Sequence, residues 1–360
     1  MHGLDKSIAT QGGSGPMTTD ALKGEDAKAR DLAQVKQMAS AVQAQQAARR
    51  RSMGMVKNYF PIALLALLCI AFALMNHRFV TLSNLVTVLQ QTVTLLVVAL
   101  GLTFVIIAGS IDLSVGSIVG MATVVAAMTA PSIGALAIIP ACAVGLLAGT
   151  INGFVFVKGK VPSFIVTLGA MVVYRGIILI FTSGTTISID DERFVNAFGG
   201  NSLGVPHSVV IAVVLTVVCL LILDTTVFGR EVRAVGGGER VAALTGIRVE
   251  RVKIGIYMLL GLLAGVAGVL NGAWSMAATA QMGTGLELDA IGAVVVGGTP
   301  LTGGQGSVLR TVLGCLIMVI LSNGMDMVGL DPYIQNIAKG VVLVAAVFVT
   351  IDRSKISVMK

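Results

Sequence analysis

The chain has 360 residues, of which 55% are hydrophobic and only 12% are charged, and its mean hydropathy is +0.91. A soluble protein cannot hide that much apolar surface, so the composition predicts an integral membrane protein. The formal charge of +7 does not indicate a nucleic-acid partner, because the basic residues gather beside apolar segments, as in cytoplasmic membrane anchors. The four cysteines lie within apolar segments without metal-ligand spacing and are expected to be reduced packing residues.

Residues 1–58 are polar and are predicted to form a cytoplasmic N-terminal arm. Within this arm, residues 27–51 have the apolar spacing of a helix that ends in three consecutive arginines, which favours a basic membrane anchor. A helix that binds a specific partner is the alternative. The first apolar run begins near residue 60 and continues as a full span, so it does not resemble a cleavable signal peptide.

Residues 59–352 are predicted to form a transmembrane domain, and residues 353–360 a basic cytoplasmic tail. Basic residues beside the spans fall on one side of the membrane if ten spans alternate from a cytoplasmic N-terminus, which places both termini in the cytoplasm. The eighth span is short and rich in glycine. The predicted fold is an all-α integral membrane protein with about ten transmembrane helices, broken glycine-rich segments and a short cytoplasmic helix-turn-helix. The predicted spans are 60–75, 84–108, 113–130, 134–157, 161–182, 206–224, 253–272, 286–298, 307–328 and 333–351.

Two stretches of the sequence resemble each other, and each contains an apolar run that breaks at glycines and hydroxyl side chains before a helix restarts. Residues 99–117 break at Gly109-Ser110, and residues 290–307 break at Gly297-Gly298-Thr299. Broken helices that recur in two halves of a chain indicate a transport site near the middle of the membrane. Glycines spaced three or four residues apart within several spans predict close helix packing.

Several kinds of chemistry have no motif in this sequence. The glycine-rich stretch 297–306 lacks the lysine of a phosphate-binding loop, and neither His-Glu-x-x-His nor Cys-x-x-Cys occurs. Only three histidines are present, all outside the span interiors. We therefore predict no catalytic residue, no metal site and no cofactor bound by this chain. A transport protein of this kind must use an ion gradient or a partner that hydrolyses ATP.

Five polar residues near the spans are candidates for the solute path, because polar groups at membrane depth tend to face a cavity or another helix. They are Asp112, Ser114, Asn271, Glu287 and Asp289. Asp112 is also expected to cap the helix that follows it by accepting the N–H of Ser114 or of the next residue. Asn271, Glu287 and Asp289 flank the seventh and eighth spans, and their side chains suit sugar hydroxyls. A plain loop at the membrane surface would also explain these three residues.

The polar interruption 229–253 carries six Arg or Lys residues and a triple glycine between two spans. Its pattern predicts two helical turns over 229–235, a sharp corner at 236–238 and a second short helix over 239–245, which Gly246 ends because glycine accepts positive φ. Such a compact charged unit favours docking to a cytoplasmic partner, with an anchored loop as the alternative. The candidate coupling residues are Gly229, Arg230, Arg233, Gly236, Gly237, Gly238, Glu239, Leu244 and Gly246.

Three segments in this order resemble the permease subunits of bacterial ATP-binding-cassette importers, in the branch that serves ribose, xylose, arabinose, galactose and related polyols. The segments are 109–117, 234–247 and 285–306, and the likeness covers about 60–351. The family usually has Asn where this chain has Gly238. Both residues tolerate left-handed backbone, so the turn is expected to persist while a side-chain hydrogen bond is lost.

The resemblance implies a permease subunit of the bacterial cytoplasmic membrane without an ATPase site of its own. It implies a second copy of the permease, a cytoplasmic ATPase that binds ATP and Mg, and an external sugar-binding protein. The cargo would be a monosaccharide: a pentose, a hexose or an inositol-like polyol. Segment 229–246 would sit in a groove of the ATPase, so that ATP-driven closure switches the permease between outward and inward states.

Three alternatives stay open. A gradient-driven secondary transporter also has broken helices, but it needs a coupling-ion site, and buried acidic pairs are sparse in this chain. An intramembrane enzyme lacks a reactive constellation. The third alternative, a channel or structural protein, does not explain why the three resembling segments occur.

Overall fold

The computed structural model describes residues 59–350, which are almost entirely helical. The predicted N-terminal arm, its helix over 27–51 and the tail over 353–360 lie outside the described residues. The described α-helices are α1 (Tyr59–Met75), α2 (Leu82–Ile107), α3 (Val115–Ile133), α4 (Ile138–Lys158), α5 (Ser163–Thr182), α6 (Glu192–Phe198), α7 (His207–Thr225), α8 (Val227–Gly237), α9 (Glu239–Leu244), α10 (Val249–Ser275), α11 (Leu286–Val296), α12 (Val308–Val328) and α13 (Pro332–Thr350).

Six helical stretches of the described chain are long and apolar enough to cross a membrane. One of them, Val115–Lys158, is 44 residues long and comprises α3, a 3-10 turn at Gly134–Ala137 and α4, which pack against each other. The helices α1 and α13 are apolar but shorter. Each of the ten predicted spans coincides with one helix, because a long apolar run fixes both the helix and its approximate ends.

The helix α11 is a half-length helix, so the eighth predicted span does not have the length of a crossing helix. Its 11 residues extend about 16 Å at 1.5 Å per residue, against a hydrocarbon core about 30 Å thick. The chain before α11 runs along α3, where a Cβ on Gly116 would lie 2.2 Å from the Gly283 carbonyl oxygen and one on Gly120 would lie 2.6 Å from that of Met282. These glycines let the segment enter the helical bundle, so α11 begins inside it.

Among the described helices, α4 and α10 share the most extensive contact, and the predicted glycine packing is confirmed there. A Cβ on Gly145 would lie 2.3 Å from the Gly261 carbonyl oxygen, and a Cβ on Gly261 would lie 2.2 Å from that of Gly145. Gly149 and Gly265 extend the same contact along both helices. Small residues provide this approach because lipid supplies no hydrophobic force that drives helices together.

Four strands of two residues each qualify the all-α prediction. β1 (Ile187–Ser188) pairs with β4 (Ala277–Ala278), and β2 (Asn201–Ser202) pairs with β3 (Val205–Pro206), both antiparallel. The first pair ties the α5–α6 connection to the end of α10. Such pairs are too short for hydrophobic alternation to reveal them in the sequence.

Candidate functional site

The two similar stretches of sequence end their helices with the same hydrogen-bond pattern. At the end of α2, the Gly109 N–H donates to the carbonyl three residues earlier (2.9 Å), and the Ser110 N–H donates to the carbonyl five residues earlier (3.0 Å). At the end of α11, Gly298 and Thr299 make the corresponding bonds at 2.9 and 3.1 Å. Both glycines have positive φ, as this helix ending requires. The predicted paired breaks are therefore present.

The two breaks also contact each other. The Gly304 N–H donates to the Ile107 carbonyl at 2.8 Å, and a Cβ on Gly303 would lie 2.8 Å from the Gly109 nitrogen. We call these four residues the break junction. The halves of the chain that carry the two breaks are thus joined by backbone contacts.

The segment predicted to couple to a partner packs on the break junction. Gly236 lies near the end of α8, and a Cβ there would be 1.7 Å from the Ile107 carbonyl oxygen and 2.6 Å from the Gly304 nitrogen. Gly229 lies near the start of α8, where a Cβ would be 2.2 Å from the Leu223 carbonyl oxygen. Both positions require glycine for close backbone approach, and at Gly236 the end of α8 lies against both breaks.

The corner between α8 and α9 differs from its prediction. The helix α8 continues through Gly236 and Gly237, so only Gly238 makes the corner instead of the whole 236–238 triplet. Gly238 has φ 163° and ψ 104°, which is extended backbone, so the turn is present as expected but its backbone is not left-handed. The turn does not depend on the left-handed tolerance that Asn and Gly share.

The stop of α9 at Gly246 is confirmed. Gly246 has φ +88°, and its N–H donates to the Ala243 carbonyl, while the Ile247 N–H donates to the Ala242 carbonyl, both at 3.1 Å. These two bonds form the helix ending that favours glycine, because an L side chain is strained at positive φ.

The outer face of the α8–α9 unit combines charge with exposed apolar groups. Leu244 is 81% exposed, which is unusual for a leucine beside charged residues, and Arg230 is exposed as well. Arg233 forms an ion pair with Asp224 (2.6 Å), and Glu239 forms one with Lys253. The ion pairs tie α8 to α7 and α9 to α10, so the unit is fixed to the helices on either side of it.

A buried polar network surrounds Asp112 and Ser114. Asp112 is fully buried, and its Oδ1 accepts hydrogen bonds from the Ser114 N–H and hydroxyl, both at 2.7 Å. The expected bond to the Ser114 N–H is therefore present, but the N-cap of α3 is Ser114, so Asp112 lies two residues before the cap. The Asn152 amide donates to the Ser114 hydroxyl (2.8 Å), and the Tyr174 hydroxyl donates to the Asn152 Oδ1 (2.9 Å). Tyr257 donates to the carbonyl before Asp112 (3.1 Å). The network fixes the first break to α4, α5 and α10.

Asn271 and Asp289 line a cavity of about 310 Å³, which we call the first cavity. Trp274, half exposed, is on the same wall. Amide and acid groups beside an aromatic ring suit a polar solute with hydroxyl groups and one apolar face. Further polar side chains of the lining are Gln90, Gln91, Thr94, Thr284, Ser322 and Asp326.

Glu287 is separate from this cavity. One of its carboxylate oxygens lies close to Gly116 at the start of α3, and the other accepts the Gly285 N–H at 3.2 Å. Arg175 holds the same segment by donating to the carbonyls of Ala280 (3.1 Å) and Met282 (2.7 Å). The five candidate path residues thus fall into three places: the first cavity, the network at the first break, and the chain before α11.

Sequence reasoning missed one charged contact of the first cavity. Lys339 of α13 donates to Asp289 Oδ2 at 2.9 Å, with 21% of the lysine and 30% of the aspartate side chain exposed. A single lysine near the middle of an apolar span is a signal that could have identified it, because intramembrane ions are rare and paired.

The residues 84–347 match the family model described as "Branched-chain amino acid transport system / permease component". The ribose import permease protein RbsC of Escherichia coli (strain K12) is 40% identical over 294 residues, which cover 80% of this chain and 91% of the relative. RbsC of Bacillus subtilis (strain 168) is 39% identical over 306 residues, covering 84% and 94%.

A third relative, the xylose transport system permease protein XylH of E. coli (strain K12), is 33% identical over 329 residues, covering 74% of this chain and 84% of the relative. No solved structure matches the chain. The family match extends over the first cavity, both breaks and the α8–α9 unit. This chain is a multi-pass membrane protein that belongs to the permease family of ATP-binding-cassette importers.

Proposed function

We propose that this permease carries a neutral monosaccharide, a pentose, a hexose or an inositol-like polyol, into the cytoplasm, with ATP hydrolysed by a separate subunit. Relatives named as ribose and xylose permeases support a sugar as the cargo. The lining of the first cavity is compatible with it, since Asn271, Asp289 and Trp274 offer an amide, an acid and an aromatic face.

The contact of Gly236 with the break junction carries the coupling part of the proposal. The coupling unit is α8–α9, and the ATPase docks on its exposed face with Leu244 and Arg230. A movement imposed there passes through Gly236 to Ile107 and Gly304 without a flexible linker between them. ATP and Mg are bound by the ATPase, and this chain provides neither an ATPase site nor a cofactor site.

The assembly consists of two copies of the permease, a cytoplasmic ATPase and an external sugar-binding protein. We propose ten membrane segments with both termini in the cytoplasm, of which α11 is a half-length segment that enters the bundle. The basic side chains near α8, α9 and the end of α4 support a cytoplasmic position for that end. The α6 region between α5 and α7 then faces the binding protein.

Reconstitution into liposomes tests this function. We expect the permease with its ATPase and binding protein to accumulate radiolabelled ribose or xylose when ATP is supplied on the ATPase side, and not when ATP is replaced by a non-hydrolysable analogue. The permease alone should accumulate neither sugar under a proton or sodium gradient. Uphill uptake by the permease alone would favour the gradient-driven alternative, which the family match disfavours.

A further inference from the structure

A second cavity, of about 480 Å³, adjoins the first. The first cavity faces α2 and α10, and the second faces α13 through Asn336, Lys339 and Leu343. The cavities share Thr284, Asp289 and Met318, which therefore form the wall between them.

The charged residue of this wall is Asp289, which forms an ion pair with Lys339 of the second cavity. Its 2.9 Å contact joins the first turn of α11 to the middle of α13. The pair is mostly buried, with 21% of the lysine and 30% of the aspartate side chain exposed, so its separation leaves each charge without its partner and with limited access to water. The two cavities stay separated unless another molecule contacts both Asp289 and Lys339 in place of their ion pair.

We propose that the Asp289–Lys339 ion pair is a gate between the two cavities that opens by exchanging its ion pair for hydrogen bonds to a polyhydroxylated solute. The proposal rests on the proposed function and adds the selection step to it. Each sugar hydroxyl both donates and accepts. One hydroxyl donates to the carboxylate while its neighbour accepts from the ammonium, so both charges remain satisfied as the solute passes between them.

Apolar molecules and monovalent ions cannot make this exchange. An apolar molecule offers no hydrogen bond to either charge, and a monovalent ion attracts one charge and repels the other. A neutral polyol meets both requirements at once. The gate thus allows a hydroxyl-rich solute to cross the wall between the cavities but does not let inorganic ions pass.

The position of Asp289 supports reversible opening. A carboxylate in the first turn of a helix is stabilised by the positive end of the helix dipole, which offsets part of the interaction that Asp289 loses when Lys339 moves away. The lysine has a long flexible stem, which lets its ammonium swing between the carboxylate and a solute hydroxyl. Asn271 and Trp274 lie in the first cavity beside the gate, where they can hold the solute during the exchange.

The test uses the complete transporter, with ATPase and binding protein, in liposomes that take up radiolabelled ribose or xylose. The main variant is the double substitution Asp289→Leu with Lys339→Met, which removes both charges and leaves an apolar wall of similar volume, a replacement that generally preserves stability. We expect its maximal uptake rate to fall at least about 10-fold, with thermal stability and the half-saturating concentration of loaded binding protein retained. Lys339→Arg, which keeps donor and charge, should transport at a rate within a few-fold of the wild type.

Uptake by the stable double variant at the wild-type rate would overturn the gate and show that the ion pair only supports the fold. If the double variant does not fold, the smaller apolar pair Asp289→Ala with Lys339→Leu takes its place, with the same expected loss and the same overturning result. A wild-type transporter that accumulates neither these sugars nor inositol refutes the proposed function, whereas wild-type uptake with unaffected variants refutes the gate alone.

Discussion

Gly236→Ala is the substitution that most directly tests the path from the coupling unit to the helix breaks. The new Cβ would lie 1.7 Å from the Ile107 carbonyl oxygen and 2.6 Å from the Gly304 nitrogen. Both neighbours are backbone atoms that hydrogen-bond to each other, so no side chain can rotate away. To reach contact distance, α8 and the end of α2 must move apart by roughly 1.5 Å.

Overpacking of this kind costs about 1–3 kcal/mol. This free energy destabilises the arrangement in which α8 contacts the break junction. The population of that arrangement, relative to one in which α8 is displaced, then drops by roughly 5- to 150-fold. We therefore expect ATP-driven sugar uptake in liposomes to fall at least about 5-fold. Sugar-stimulated ATP hydrolysis should fall less, because the ATPase still binds the exposed face of α9.

Gly237→Ala is the matched control, since it adds the same methyl group one residue further along α8. No atom lies within 4 Å of a Cβ at that position, and alanine favours a helix over glycine by about 0.5–1 kcal/mol. This variant should transport at the wild-type rate and be equally or more stable. Wild-type uptake by Gly236→Ala, or equal loss in both variants, would refute the role of the close contact.

Three further predictions concern the coupling unit and the first break. Gly246→Val should weaken ATPase binding in a pull-down while membrane insertion stays normal, because a β-branched residue at φ +88° is strained by about 1–2 kcal/mol or more. The control variant Gly246→Asn should retain binding. Normal sugar-stimulated ATP hydrolysis in the valine variant would contradict this role of Gly246. Leu244→Asp should reduce ATPase affinity at least about 5-fold with an unchanged melting temperature, since the side chain is 81% exposed in the permease; unchanged affinity would exclude Leu244 from the docking face. Asp112→Ala should lower stability by about 1–3 kcal/mol, because the Ser114 N–H and hydroxyl lose their buried acceptor, and an unaltered thermal unfolding curve would show that another group replaces it.

The helices of this protein could be predicted from the sequence because each is specified by its own residues. Each span predicted from an apolar run coincides with a helix, and Gly246 marks a helix end that depends only on local backbone conformation. The hydrogen bond from the Ser114 N–H to Asp112 was predictable for the same reason, since the acceptor and donor are two residues apart.

Predictions that needed long-range contacts were incomplete. Asn271 and Asp289 share a cavity, but Glu287, only two residues from Asp289, points to α3 instead. Helical rotation of about 100° per residue separates such neighbours once α11 forms, and the sequence does not indicate which face meets the cavity. Lys339 was missed because its partner is 50 residues away in the chain.

The sequence by itself determined that this chain is a helical membrane protein with two similar breaks and a charged helix-turn-helix, since hydrophobic runs, glycines and charge clusters act over a few residues. Only the tertiary structure decided that α11 starts inside the bundle, that Gly236 meets both breaks, and that Asp289 faces Lys339. These features depend on how closely distant backbones approach, and that distance is set by the packing of whole helices.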